Sequence, residues 1–416
     1  MKFTEFGFDG RLLEGIEASA YDEATPVQEQ VIPLVLNGSD VIASAQTGTG
    51  KTAAFLLPLI NNILASPINH QSITALVIVP TRELAVQIAQ HMEGLSYFTS
   101  VSSIAVYGGG DGNAFVQEKK ALSAGADVVI CTPGKMLAHI NMGYVKLQGL
   151  QYLVLDEADR MLDMGFYDDI MRIINALPAK RQNLLFSATM PSKIRELARK
   201  ILHNPKEINI SISKPNEKII QMAYVVYDTQ KIPLVKYILH QKEFSSVLIF
   251  CSSKISVKQL NRELQRTKLA VDEIHSDLEQ DKRESVLMDF KSGKLTILVA
   301  TDILSRGIDI DNIGLVINYD VPHDGEDYVH RIGRTARAAA DGTAITFISE
   351  KEQRKFGQIE KLLGKEVQKA QVPEEFGEVP VYNPTAFVRN NKKSGSGKKP
   401  FRHARPNDRN QPNRNP

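Results

Sequence analysis

The chain has 416 residues, 43% of them hydrophobic, with 50 Lys and Arg against 48 Asp and Glu and a formal net charge of +2. That length exceeds one ordinary core and supplies enough apolar residues for two domains of common size. No apolar run reaches the roughly 18 residues of a membrane span and the start, MKFTEFGFDG, lacks the apolar stretch of a signal peptide, so a soluble, cytoplasmic protein is expected.

In chain order, the run Asp40 to Ser44 predicts a strand, AQTGTGKT (Ala45 to Thr52) a glycine-rich turn, and Ala53 to Leu64 an apolar helix. This strand, loop and helix is the setting a P-loop requires. Its cradle comprises Ala45, Gln46, Thr47, Gly48, Thr49, Gly50, Lys51 and Thr52. Gly48 and Gly50 let backbone N–H groups turn toward phosphate oxygens, and the positive end of the following helix favours an anion there. Lys51 is placed to reach the β- and γ-phosphates of a nucleoside triphosphate, and Thr52 to ligate Mg²⁺.

The runs TALVIVP, VSSIAVYG, DVVICT, LQYLVLD and RQNLLFSAT follow, separated by helical patterns. Such alternation predicts an α/β fold, a parallel sheet with helices on both faces. YLVLD ends in Asp156, followed by Glu157, Ala158 and Asp159. An acidic cluster after a strand is by itself a solvated helix start; with a P-loop upstream it sits where ligands bind in such sheets. Asp156 is then expected to hold Mg²⁺ and Glu157 to orient or deprotonate the attacking water.

Residues 211–218 (SISKPNEK) read as a linker after a first unit of residues 1–210. A second α/β unit over 219–372 restarts the pattern with MAYVVYD, SSVLIFCSS, VDEIHS, LTILVATD, GLVINYD and GTAITFIS. The loop after its strand VLIFC reads SSKIS, without the glycines a phosphate cradle needs, which disfavours a second nucleotide site. The cysteines, Cys131 and Cys251, close the apolar runs DVVIC and VLIFC and read as buried strand residues rather than a disulfide, a metal site or a nucleophile.

HRIGRTAR (His330 to Arg337) carries arginines at 331, 334 and 337, which helical spacing groups on one face. Such a face serves as a solvated surface, a phosphate-backbone contact, or a set of arginine fingers from the second unit. Residues 373–416 form an extension and a basic tail. From Arg389 onward there are nine Lys or Arg against one acidic residue, in a stretch too polar to bury a core. A disordered tail is expected, as a solubilising extension or as electrostatic capture of RNA.

These motifs resemble those of DEAD-box RNA helicases from about residue 3 to about residue 370. The resemblance implies two tandem RecA-like domains. It also implies RNA-stimulated ATP hydrolysis, with domain closure coupled to local duplex unwinding, remodelling of RNA–protein complexes, or an ATP-gated clamp on RNA. Tyr21 to Gln28 (YDEATPVQ) resembles the Q motif, implying adenine recognition by Gln28 and Thr25 with stacking from Tyr21 and Phe3. PTRELA (Pro80, Thr81, Arg82), Gly108-Gly109 and TPGK (Thr132, Pro133, Gly134) resemble RNA-backbone motifs. So do Ser252 in FCSSK, the pair Gln280 and Arg283, and Thr301 in ATDILSRGID. Ser187 and Thr189, with Asp159, match the elements coupling hydrolysis to domain movement; Asp309 matches the ATP ribose contact; His330, Arg334 and Arg337 match the γ-phosphate sensors. Ala20, Ala24, Lys135, Ser305 and Ala336 depart from the usual residues without removing a catalytic group. The implied cofactors are ATP and Mg²⁺, and the implied partner is RNA, gripped with little base specificity by a monomeric core.

Overall fold

Short, almost wholly apolar runs become central strands because helices cover both faces of a parallel sheet. The computed structural model describes residues 1–45, 49–66, 72–109, 112–210, 219–241, 244–301, 313–323, 325–335 and 342–385. In the first half, β1 (Val41–Ser44), β2 (Ala75–Ile78), β3 (Ser103–Val106), β4 (Val128–Cys131), β5 (Tyr152–Leu155), β6 (Gln182–Ser187) and β7 (Lys206–Asn209) form one sheet in the order β3-β4-β2-β5-β6-β1-β7. In the second half, β8 (Ile219–Val225), β9 (Val247–Phe250), β10 (Val271–Ile274), β11 (Ile297–Ala300), β12 (Leu315–Asn318), β13 (Gly342–Ile348) and β14 (Gln368–Lys369) form another, in the order β10-β11-β9-β12-β13-β8-β14. All these pairings are parallel.

Alternate residues of each strand feed two different cores, as a two-residue repeat demands. Val77 and Val154 face the core built with Phe55 and Ile88, whereas Leu76, Ile78 and Leu155 face the one built with Met136, Ile170 and Ile194. The second sheet is divided the same way, with Ile249 and Ile317 on one side and Leu248 and Val316 on the other.

The second strand order reproduces the first position for position: β8 stands where β1 does, β9 where β2 does, and so on to β14 and β7. This corrects one step of the sequence reading. VLIFC is β9 and corresponds to β2, so the loop to compare with the P-loop follows β8 and reads Val226 to Gln230 (VYDTQ). Central strands of one sheet read alike in sequence, and only topology tells them apart. The β8 loop also lacks glycine, so it too disfavours a second cradle.

Within the extension, residues 373–385 pack onto the second domain. Gln230 Nε2 donates to the carbonyls of Phe376 and Glu378 at 2.8 and 2.9 Å, and Gln353 Oε1 accepts from the Asn383 N–H at 2.6 Å. Phe376 meets the Tyr237 ring edge-on, and a Cβ on Gly357 would lie 2.6 Å from Pro384. The sequence hid this strap because its anchors are backbone carbonyls and single rings rather than a periodic apolar face. The linker 211–218 and the tail from 386 lie outside the described residues.

Candidate nucleotide and RNA site

Lys51 opens the helix Lys51–Ala65 directly after Gly50, whose φ of +92° places it in the left-handed region that glycine tolerates. The same glycine cannot carry a Cβ, which would overlap the Gln28 amide. Gln28 is buried; its Nε2 donates to the Gly50 carbonyl at 3.1 Å while its Oε1 accepts from the Thr25 N–H at 2.8 Å. The YDEATPVQ segment is thereby tied to the phosphate loop. Tyr21 is half-buried, and Phe3, grouped with it in the sequence reading, is buried and meets it edge-on at 6.1 Å. Phe3 therefore backs the half-buried Tyr21 ring. Ala45 donates its N–H to the Ser187 carbonyl; Gln46, Thr47 and Gly48 lie outside the described residues.

The Lys51 ammonium is 6% exposed and has no hydrogen-bond partner among the described residues. Asp156, at the end of β5, is 3% exposed, and its Oδ1 accepts from the Glu157 N–H at 2.9 Å. Burial pushes the Asp156 carboxyl up to about 6; the Lys51 charge opposes this, Glu157 and Asp159 add to it, and the Glu157 N–H opposes it. Glu157 itself sits at φ 50°, ψ 49°, a left-handed conformation that costs a non-glycine residue about 1–2 kcal/mol and is retained where function over-determines it. Asp159 Oδ2 accepts from the Thr189 N–H at 3.0 Å, and its own N–H donates to Ser187 Oγ at 3.3 Å. The acidic motif after β5 and the Ser-Ala-Thr motif after β6 are thus one hydrogen-bonded unit.

The loops after β2, β3 and β4 carry the other expected motifs. Thr81 caps the helix Arg82–Ser96 by accepting from the Leu84 N–H at 3.3 Å, behind a buried Pro80. The Arg82 guanidinium lies against Gly108 and Gly109; Gly109 has φ +96°, and a Cβ there would overlap that guanidinium. Thr132 and Pro133 start the helix Pro133–Asn141, with Gly134 exposed in its first turn. Lys135 does not reach outward: its Nζ pairs with Glu118 at 2.9 Å and lies 5.3 Å from the Phe115 ring centre. Glu118 also holds the buried His139 at 3.1 Å, and burial lowers the pKa of that imidazole.

In the second domain Ser252 is exposed beyond β9 and donates both its N–H and its Oγ–H to Asp320 Oδ2, each at 2.8 Å. Thr301 follows β11, its hydroxyl buried and without a hydrogen-bond partner among the described residues. Arg283, on the helix Gln280–Lys291, pairs with Glu83 of the first domain at 2.7 Å, each side chain 8% exposed. The domains therefore meet across an ion pair between two expected RNA motifs.

Among the described residues, the arginine face predicted for HRIGRTAR is interrupted between Arg331 and Arg334. The helix Gly325–Ile332 ends before Arg334, and Arg331 is turned into the core, over the Phe250 ring at 5.1 Å and donating to Asn318 Oδ1 at 3.3 Å. Gly333 breaks the helical repeat on which the grouping depended. His330 and Arg334 are buried. Arg337 and Asp309 lie outside the described residues, and Gln280 is the first residue of its helix.

Residues 25–197 match the family model for the DEAD/DEAH box helicase domain, and residues 230–339 that for the helicase conserved C-terminal domain. The chain is 44% identical over 373 residues to the ATP-dependent RNA helicase CshA of Listeria monocytogenes, covering 89% of this chain and 71% of that one. The chain belongs to the DEAD-box family of ATP-dependent RNA helicases. Among solved structures, the helicase matches Saccharomyces cerevisiae Dbp5 bound to RNA and ADP-BeF3 with a TM-score of 0.79 and 30% identity, over 90% of this chain and 96% of that one. A point variant of Dbp5 bound to Nup159, a Gle1 variant, IP6 and ADP matches with a TM-score of 0.61 at 29% identity, over 88% and 95% of the two chains.

Four polar residues that organise this helicase site escaped the sequence reading: Glu83, Glu118, Lys231 and Asp320. Glu83 was legible only as the fourth letter of PTRELA, and its partner lies 200 positions away. Lys231 and Asp320 belong to β-strand ends whose equivalence to the P-loop and acidic ends becomes visible only once the second sheet's order is known. No helix among the described residues is long and apolar enough to cross a membrane.

Proposed function

We propose that the helicase binds one ATP between its domains and RNA across the facing loops, and that the two ligands together favour the closed arrangement. Ala45 to Thr52 cradle the phosphates, with Lys51 on the β- and γ-phosphates; Gln28, Thr25 and Tyr21 hold the adenine and Asp309 the ribose. His330, Arg334 and Arg337 meet the γ-phosphate from the second domain. Asp159, Ser187 and Thr189 pass the change at the acidic motif to the domain interface. Pro80, Thr81, Arg82, Gly109, Thr132, Pro133 and Gly134 line the RNA backbone from one side, and Ser252, Gln280, Arg283 and Thr301 from the other. The protein works in the cytoplasm as a single chain, with RNA as its partner.

The observation that carries this reading is the presence of a buried Lys51 ammonium, without a hydrogen-bond partner among the described residues, and a buried Asp156 carboxylate beyond the ends of β1 and β5, the strands flanking β6. Burying charge without a partner is costly, so such a pair is a preformed receptor for a charged ligand. The donor set fits Mg²⁺, which takes oxygen ligands, keeps waters and substrate phosphates in its shell and needs only one or two carboxylates. Asp156 and Thr52 would hold it, and when bound it neutralises charge on the phosphates. Glu157 takes the proton of the attacking water, and Lys51 offsets the charge left on the terminal phosphate. Resemblance to RNA- and ADP-BeF3-bound Dbp5 supports a ligand-ready arrangement, since the TM-score is lower for Dbp5 with Nup159, Gle1 and ADP.

Glu157→Gln should keep ATP and RNA binding and lose turnover by about 10²-fold or more, whereas Lys51→Ala should lose nucleotide binding. Equilibrium binding and single-turnover hydrolysis separate the two. Parental hydrolysis by Glu157→Gln would remove Glu157 from its role, and strand displacement on a short duplex tests whether closure separates strands.

A further inference from the structure

The helix Ser192–Ile201 buries Ile194, Leu197, Ala198 and Ile201 and leaves Arg195 and Arg199, one turn apart, exposed along one flank. Between that helix and β7, the edge strand of the first sheet, runs a groove of about 310 Å³, at the lower end of the roughly 300–1,000 Å³ of ligand pockets. Its floor is apolar, with Ile42, Met190 and Leu202, and the two arginines line it from the helix. Glu207 and Asn209 line it from β7; Glu207 is the register partner of Ile42, so the two side chains share one face of the sheet. Neither Arg195 nor Arg199 has an ion-pair partner among the described residues, Glu207 included, whereas Lys200 of the same helix is held by Glu196 and by the Tyr167 hydroxyl. The groove thus offers two guanidinium forks against one carboxylate, over an apolar floor. That is the complement of carboxylates placed beside an apolar side chain.

We infer that this groove docks an extended acidic segment of a partner protein, with an apolar side chain on Ile42, Met190 and Leu202 and flanking carboxylates on Arg195 and Arg199. RNA is the other polyanion to weigh, and two observations set it aside. The loops read as the RNA path follow β2, β3 and β4, whereas β7 stands at the opposite edge of the sheet from β3. No aromatic ring lines the groove among the described residues, so unpaired bases find no stacking platform there. A peptide meets a better match. Among the described strands β7 pairs with β1 alone, so its outer backbone groups lie free beside the groove to meet an extended chain.

The test is selection of short random peptides, displayed on phage, against the full chain, followed by anisotropy titration of the labelled winners with the parent and its variants. Enriched sequences should carry Asp or Glu on both sides of one Leu, Ile, Met or Phe. Arg195→Gln and Arg199→Gln should each weaken their binding by about 2- to 5-fold, the size of an exposed charge pair. The double reversal, Arg195→Glu with Arg199→Glu, should weaken it by about 10-fold or more, since like charges then face each other. Glu207→Gln should instead tighten binding by about 2-fold, because it removes the groove's own carboxylate. A variant that merely disturbed the fold would not produce that opposite sign. Binding of single-stranded RNA by the double variant should equal that of the parent. Absence of enrichment, winners without acidic residues, or winners that bind the double variant as they bind the parent would overturn the proposal. So would a loss of RNA binding in the double variant, which would make the groove an RNA surface.

Discussion

Asp156 is ionised at neutral pH in a place that disfavours its charge. Its carboxyl is raised from 3.8 to about 6, first by burial. A shift of about two units corresponds to about 3 kcal/mol between the two protonation states. Because the folded state holds the proton more tightly than the unfolded one, stability of the ligand-free protein falls as pH rises from about 4 to about 6 and stays lower above that window. Asp156→Asn keeps an oxygen for the Glu157 N–H and removes the charge. It should therefore unfold later than the parent in chelator at pH 7.5, by up to about 3 kcal/mol, while losing Mg²⁺-dependent hydrolysis. Denaturant titration across pH checks this; the gap should close below about pH 4, and identical stability at neutral pH would contradict the account. Much of this site was legible in the residues themselves: Lys51, Asp156 and Glu157 sit where the sequence motifs put them. Their protonation and strain were not, since burial and the left-handed φ of Glu157 arise only from the packed fold. Ala20, one of the residues that depart from the usual pattern, shows the same limit: its φ is +55°, a conformation that favours glycine.

Between elements, the pair of Glu83 and Arg283 joins the first turn of the helix Arg82–Ser96 to the helix Gln280–Lys291 of the other domain. Burial lowers the Arg283 pKa and the Glu83 charge raises it, so this guanidinium depends on its partner. Removing one member of a buried ion pair costs on the order of 2 kcal/mol or more, roughly 30-fold in an equilibrium. Glu83→Gln and Arg283→Gln should each raise the RNA concentration for half-maximal ATPase by about that factor. The exchange of both, Glu83→Arg with Arg283→Glu, should recover part of the loss. Failure of the exchange to recover anything would mean that Arg283 acts on RNA alone. Such pairs are invisible in sequence because no periodicity links residues in separate domains. The strands were visible, by contrast, wherever apolar residues filled both faces. β7 (KEIN) and β14 (QK) were not, since edge strands need no apolar run and pair through backbone alone.

For the whole molecule, two sheets of one topology perform unlike tasks. The first places Lys51 and Asp156 beyond β1 and β5, where the proposed triphosphate would lie; the second pairs Lys231 and Asp320 beyond the corresponding β8 and β12, adds Glu352 from beyond β13, and packs residues 373–385 against the domain. Two domains were legible from length and from the restart of the strand pattern after residue 218, whereas the pairing of their ends required the strand order. On the proposed reading, hydrolysis needs closure because the γ-phosphate partners would come from both halves, and closure is favoured only if ATP and RNA each contact the closed form better than the open one. The most direct measurement is a crystal structure of the full chain with a non-hydrolysable ATP analogue, Mg²⁺ and single-stranded RNA. The account predicts Lys51 and Arg334 on the same terminal phosphate, each at about 3 Å. A closed, RNA-bound complex in which Arg334 touches no phosphate oxygen would contradict it.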